Sequence, residues 1–123
     1  MSVIGMDKIE ACYMQAKSVF DGRLTKKTAV GNLTDKTKLG MKKSSAIYYL
    51  NAYLSMRTGK TYKKTINEDA TRYYLENILK DDGKVALKFA LQSLEQHIQY
   101  YSMQGKGELQ SLNTMHDEFV RFL

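Results

Sequence analysis

The side chains that could carry chemistry in this chain are few and scattered. Two histidines, His97 and His116, and one cysteine, Cys12, are the only imidazole and thiol groups in 123 residues. Three such groups cannot close a tetrahedral zinc site without help from carboxylates. His97 stands beside the helical run Leu87, Leu91, Leu94, Ile98 and Tyr101, and His116 stands among Leu109, Leu112, Phe119 and Leu123. Both read as histidines that pack and hydrogen-bond, not as ligands or general bases. Asp81-Asp82-Gly83-Lys84 offers the carboxylates and lysine of a nuclease, but it falls where one helix gives way to the next. Acids there serve the N-terminus of the following helix. Thr58-Gly59-Lys60-Thr61 contains the GKT of a phosphate loop; the first glycine of G-x-x-x-x-G-K-[ST] would fall at Leu54, after a helical segment and not a strand. No catalytic residue, metal ligand or cofactor is expected, and the chain reads as no enzyme by itself.

What remains is recognition of a polyanion. Residues 25–65 carry ten bases (Lys26, Lys27, Lys36, Lys38, Lys42, Lys43, Arg57, Lys60, Lys63, Lys64) against Asp35 alone, a net of +9. Residues 1–24 are neutral and residues 66–123 carry a net of −3, so the overall +6 is concentrated in one third of the chain. Solubility does not require stripping nearly every carboxylate from a single segment, and such asymmetry is the electrostatic footprint of a nucleic-acid partner.

The segment Lys42–Thr58 is the element best suited to reading bases. At 100° per residue, Ala46, Ile47, Leu50, Tyr53 and Leu54 share the face expected to pack inward. Ser44, Tyr48, Asn51 and Ser55 share the opposite face, flanked by Ser45 and Ala52, with Lys42 and Lys43 at its N-terminal end. Small side chains permit close approach, an asparagine pairs bidentately with adenine, and serine or tyrosine reaches phosphate or base edges. A helix N-terminus with lysines suits a phosphate. The basic loop Gly59–Lys64 adds Lys60, Lys63 and Lys64 for backbone contacts and Tyr62 for sugar or base contact. Duplex DNA is the expected partner; RNA stacked on Tyr48, Tyr49 and Tyr62 is a weaker alternative.

The elements that must position these residues are helical. With no proline and no tryptophan, long uninterrupted helices are favoured over a turn-rich β fold. The periodicity predicts six: Asp7–Phe20, stopped by Gly22; Lys26–Lys38, capped by Thr25; Lys42–Thr58, stopped by Gly59; Ile66–Lys80, opened by a Thr65-Ile66-Asn67-Glu68 capping box; Lys84–Met103; and Glu108–Phe122 after Gly105-Lys106-Gly107. The turn Leu39-Gly40-Met41 between the second and third helices makes a helix-turn-helix-like unit, whose second helix is the reader. The expectation is an all-α, single-domain bundle over 1–123, with a basic nucleic-acid-facing segment 25–65 and a helical C-terminal half 66–123.

The fifth predicted helix carries Val85, Phe89, Tyr100 and Met103 opposite its leucine stripe. A helix apolar on both faces is either central to the bundle or shared with a partner, including a second copy of the chain. No apolar run approaches the roughly 18 residues of a membrane span. The start lacks the basic and apolar regions of a secretory signal, and the single cysteine fits a reducing cytoplasm.

From Ser44 onward the chain resembles an N-terminal helical region of bacterial HNH-type, restriction-like endonucleases. The resemblance rests on SSAIYYLNAYLSMRTGKTYKKTIN (44–67), ATRYYLENI (70–78), DDGKVAL (81–87), HIQYY (97–101) and LQSL (109–112), with FDGRLTKKTA (20–29) and LGM (39–41) in the first half. It implies a DNA-recognition or accessory module that precedes a nuclease domain or works with a nuclease subunit. The histidine-asparagine-histidine metal constellation of those enzymes has no counterpart here, so cleavage is not implied. The alternative is a protein-interaction module (an immunity, antitoxin or adaptor protein) acting through the C-terminal half.

Overall fold

Helix signals and apolar spacing together produce five helices in a computed structural model, which describes residues 4–105 and 109–123. They are α1 (Met6–Phe20), α2 (Lys26–Thr34), α3 (Lys43–Thr58), α4 (Glu68–Met103) and α5 (Gln110–Val120), with no strand among the described residues. α1 packs on α2, α3 and α4; α3 packs on α2 and α4; α5 lies against α4, closing one bundle. The expected start of the last helix at Glu108 and the Lys106-Gly107 turn lie outside the described residues.

The count of six becomes five because the expected fourth and fifth helices abut at Gly83 with no loop between them and are described together as α4. The break at Asp81-Asp82-Gly83 is a kink at one residue, Gly83, with φ 89° and ψ −175°. Only glycine occupies that region without strain, so a single residue re-aims the chain where an interhelix loop was expected. Asp81 and Asp82 turn back toward the other helices. Tyr13 Oη donates to Asp81 at 2.9 Å, Lys17 Nζ lies 3.3 Å from Asp81 and 3.7 Å from Asp82, and Arg57 Nη1 donates to Asp82 at 3.1 Å. The kink is thereby tied to α1 and α3. These hydrogen bonds, Tyr13 first, hold the Asp81 carboxyl below the usual carboxylate range.

Two other boundaries differ from expectation for local reasons. α2 stops at Thr34, short of Lys38, because Asp35 Oδ1 accepts from the Thr37 backbone N–H at 2.9 Å and from its hydroxyl at 2.7 Å. Such an Asx turn competes with helical hydrogen bonding, and residues 35–42 become the connection to α3. α4 begins two residues after the expected start, because Asn67, and not Thr65, caps it by accepting from Ala70 N at 2.8 Å. At α2 the expected cap forms, with Thr25 Oγ1 accepting from Thr28 N at 3.1 Å.

The core joins Ile9, Cys12, Tyr13 and Ala16 of α1 to Leu50, Tyr53 and Met56 of α3 and Tyr74, Leu75, Ile78 and Leu94 of α4. Fully burying an aliphatic side chain of this size contributes about 1.5–3 kcal/mol. Tyrosines fill its centre. Tyr13 meets Tyr53 edge-on at 5.2 Å between ring centroids and Tyr73 at 5.5 Å, and Tyr53 meets Tyr74 at 5.7 Å. Their hydroxyls reach partners: Tyr13 on Asp81, Tyr53 accepting from Arg57 at 3.0 Å, and Tyr74 donating to the Tyr49 carbonyl at 3.0 Å. Burial also raises the Cys12 thiol to a pKa of about 12, making it an inert core residue.

Candidate nucleic-acid interface

α3 forms the floor of the candidate interface, but it is rolled relative to the simple helical projection. Its buried residues are Ala46, Tyr49, Leu50, Ala52, Tyr53 and Met56. Ile47 and Leu54, expected inward, are only half-buried, and Ala52, expected on the outer flank, is fully buried. The physical cause is that α1, α2 and α4 all pack on α3, so the buried arc is wider than one stripe. Tyr49 turns inward, where its hydroxyl accepts from Asn67 N at 3.2 Å, and offers no stacking surface. The outer face is as expected in composition: Tyr48 is 37% exposed, and Ser44, Ser45, Asn51 and Ser55 are half-buried. Among the described residues none of those four polar side chains makes an intramolecular hydrogen bond, whereas Thr34 and Thr58 bond back to helix carbonyls. The Asn51 amide is therefore uncommitted.

The wall beside this floor is the loop Gly59–Lys64, held in place by α4. Gly59 ends α3 in the left-handed region at φ 69°, which favours glycine, and a Cβ there would press on the Phe89 and Gln92 side chains at 3.0 and 3.2 Å. Four α4 side chains at i, i+1, i+4 and i+5 then bind successive loop groups. Gln92 Nε2 and Gln96 Nε2 each donate to the Gly59 carbonyl at 3.2 Å, Ser93 Oγ donates to the Lys60 carbonyl at 2.5 Å, and Thr61 Oγ1 donates to Gln96 Oε1 at 2.5 Å. His97 Nδ1 lies 2.6 Å from the Tyr62 carbonyl and Nε2 lies 2.8 Å from Thr65 Oγ1. A carbonyl only accepts, so Nδ1 carries the proton and Nε2 accepts from Thr65. Burial pushes the His97 pKa below its usual value, with the Tyr62 carbonyl acting in the opposite direction.

Sequence reasoning missed Gln92, Ser93 and Gln96. The signal was present as two polar i, i+4 pairs, Gln92–Gln96 and Ser93–His97, interrupting a leucine-rich helix. It also misplaced Tyr62, whose ring is 4% exposed and stacked on His97, so it cannot receive a base or sugar. The loop's own fold explains this: the carbonyls of residues 59, 60 and 62 are bound to α4, and the Tyr62 side chain is drawn in against His97. Lys60, Lys63 and Lys64 project outward, Lys63 Nζ 5.6 Å above the Tyr100 ring and Lys64 Nζ 5.8 Å above the Tyr48 ring.

Floor and wall enclose an open groove of about 530 Å³ in which Tyr48, Asn51 and Ser55 of α3 face Lys60, Lys63 and Lys64 of the loop. Lys26, at the start of α2, lines its other side, and no carboxylate lines it. Lys42, Ser44 and Ser45 lie outside this groove, nearer the α3 N-terminus. Lys43 lines a second depression of about 610 Å³ with Lys26 and Lys27 over Val30 and Ile47. Among the described residues no lysine of segment 25–65 forms an ion pair; Arg57 is the base of that segment that does. The positive field of the groove is thus unneutralised.

The histidines and the Asp81-Asp82 pair each have partners in the structure. His97 holds the loop, Asp81 and Asp82 hold α1 and α3, and His116 Nδ1 sits 3.6 Å from Asp117. Among the described residues no three His, Cys, Asp or Glu side chains converge to hold a metal ion, and no helix is long and apolar enough to cross a membrane. Comparison with protein-family models, with curated proteins and with solved structures finds no match to this chain.

Proposed function

We propose that this chain is a DNA-binding module, without chemistry of its own, that serves a restriction-type HNH nuclease domain or subunit. The observation that carries the reading is the carboxylate-free groove in which an uncommitted Asn51 amide lies between unpaired lysines on two sides. Lys60, Lys63 and Lys64 on one bank and Lys26 on the other supply phosphate contacts, which set affinity and register. Tyr48, Asn51 and Ser55 supply the short hydrogen-bonding groups that discriminate between bases. Lys42, Lys43, Ser44 and Ser45 extend the surface along the α3 N-terminus, where a phosphate meets free N–H groups. α2 and α3, joined through residues 35–42, act as a helix-turn-helix-like unit with a longer connection than the usual three or four residues. The nuclease association rests on the sequence resemblance.

An anisotropy titration with duplex DNA, single-stranded DNA and RNA at two salt concentrations tests this reading. Duplex preference with log K falling steeply against log salt is the expected result. Absence of nucleic-acid binding at low salt, or a preference for RNA, removes it.

The second reading, a protein-interaction module, is favoured by one observation. On the later arm of α4, Val85 is 72% and Phe89 44% exposed, and Met103 near its end is 84% exposed. A sedimentation coefficient that rises with concentration, and falls back to the monomer value in Val85→Glu, would assign that face to a second copy of the chain.

A further inference from the structure

We infer that the groove between α3 and the Gly59–Lys64 loop receives a single nucleotide turned out of a DNA duplex, its base on the α3 floor and its flanking phosphates on the lysine rim. The inference rests on the DNA-binding reading and specifies how that site engages its ligand.

The distribution of charge across the groove is the first argument. The floor holds Tyr48, Asn51, Leu54 and Ser55, which are neutral, hydrogen-bonding or apolar, while the cations Lys26, Lys60, Lys63 and Lys64 stand around them. A bare phosphate would seek cations at the floor. A ligand with a neutral, flat, hydrogen-bonding head and anionic ends fits this arrangement, and that describes a nucleotide. The volume of about 530 Å³ falls within the roughly 300–1,000 Å³ range of small-ligand sites, too large for an ion.

The second argument is steric. A helix with its side chains is about 10–12 Å across, nearly the full width of the roughly 12 Å major groove. It enters that groove only along an outer face that stands clear of its neighbours. Along Tyr48–Ser55, α3 is flanked by Lys26 of α2 on one side and by the loop on the other. The loop cannot swing aside freely, because Gln92, Ser93, Gln96 and His97 hold it. Short side chains on a recessed floor do not reach base edges inside an intact stack, whereas a base outside the stack comes to them.

The third argument is the chemistry of the floor. Asn51 is half-buried with no hydrogen-bond partner among the described residues. Its amide presents a donor and an acceptor side by side, the pattern that matches the N6 donor and N7 acceptor of adenine. Tyr48, 37% exposed with the Lys64 ammonium over its ring, offers an aromatic face beside it.

Binding of the full chain to three duplexes that differ at one central position tests the inference: fully paired, adenine-mismatched, and abasic at that position. The mismatched duplex should bind about tenfold tighter than the paired one, because its base is already partly free of the stack. 2-Aminopurine at the mismatched position should brighten on binding. Asn51→Ala and Tyr48→Ala should erase the mismatch preference while leaving the melting temperature unchanged. Equal affinity for paired and mismatched duplexes, or abasic DNA binding as tightly as mismatched, overturns the inference and leaves the DNA-binding reading standing. No binding to any of the three at low salt overturns both.

Discussion

The Tyr62 ring lies flat against the His97 imidazole, 4.2 Å between centroids and 9° from parallel, while His97 Nδ1 donates to the carbonyl of the same tyrosine at 2.6 Å. One residue of α4 thus fixes both the backbone and the side chain of the loop's central residue. With Thr65 donating to Nε2, both ring nitrogens are used. The imidazole is neutral in this arrangement, and its second nitrogen accepts only while it stays neutral.

This arrangement predicts a pH-dependent stability. Burial lowers the folded pKa of His97 below its ordinary value of about 6.5, so the unfolded chain takes up the proton first as pH falls. The contribution is present in full above about pH 6.5 and is lost as pH drops through the folded pKa, at up to about 1.4 kcal/mol per pH unit. Urea denaturation at pH 7.5, 6.5 and 5.5 should show that decline. In His97→Gln the decline over this range should flatten and stability at pH 7.5 should be lower.

Two buried tyrosines should respond oppositely to loss of a hydroxyl. Tyr74 Oη donates to the Tyr49 carbonyl, and Tyr74→Phe should cost about 0.5–1.5 kcal/mol. Tyr62 Oη is buried without a partner among the described residues, so Tyr62→Phe should be neutral or stabilising by about 1 kcal/mol. Paired denaturation curves decide the matter; destabilisation by Tyr62→Phe as large as that by Tyr74→Phe would contradict it.

At the kink, Gly83→Ala should cost about 1–3 kcal/mol. No heavy atom lies within 4 Å of the position the new Cβ would take, so the cost comes from the backbone at φ 89° and not from a clash. Gly31→Ala, in a helix and equally open, should be neutral or stabilising by up to about 1 kcal/mol and serves as the control.

For DNA binding, replacing Lys60, Lys63 and Lys64 together with alanine should flatten the slope of log K against log salt by about 2–3 units, at roughly 0.9 per phosphate contact. Folding should survive, since the loop is held through its backbone carbonyls and threonine hydroxyls. A slope equal to that of the unsubstituted chain would leave these lysines as solvated surface.

Sequence alone determined the helical class, most of the helix positions and the basic character of residues 25–65, because periodicity, absent proline and glycine stops act locally. Ile9, Cys12, Tyr13 and Ala16 could be assigned to the core from spacing within one helix, and Thr25 to a cap from its neighbours. Only the tertiary structure decided what depends on contacts between distant segments. Asp81 and Asp82, read as helix-capping acids, bind Tyr13, Lys17 and Arg57, residues that no local rule connects to them. Thr65, read as a cap, instead meets His97, because Asn67 two residues later caps α4. Tyr62 looked exposed in a run of lysines, yet its side chain is drawn inward when α4 binds the carbonyls around it. The roll of α3 follows from having neighbours on several sides, which a single-helix projection does not contain. Local sequence sets which conformations are cheap, whereas the burial of each polar and aromatic group depends on which other helix supplies its partner.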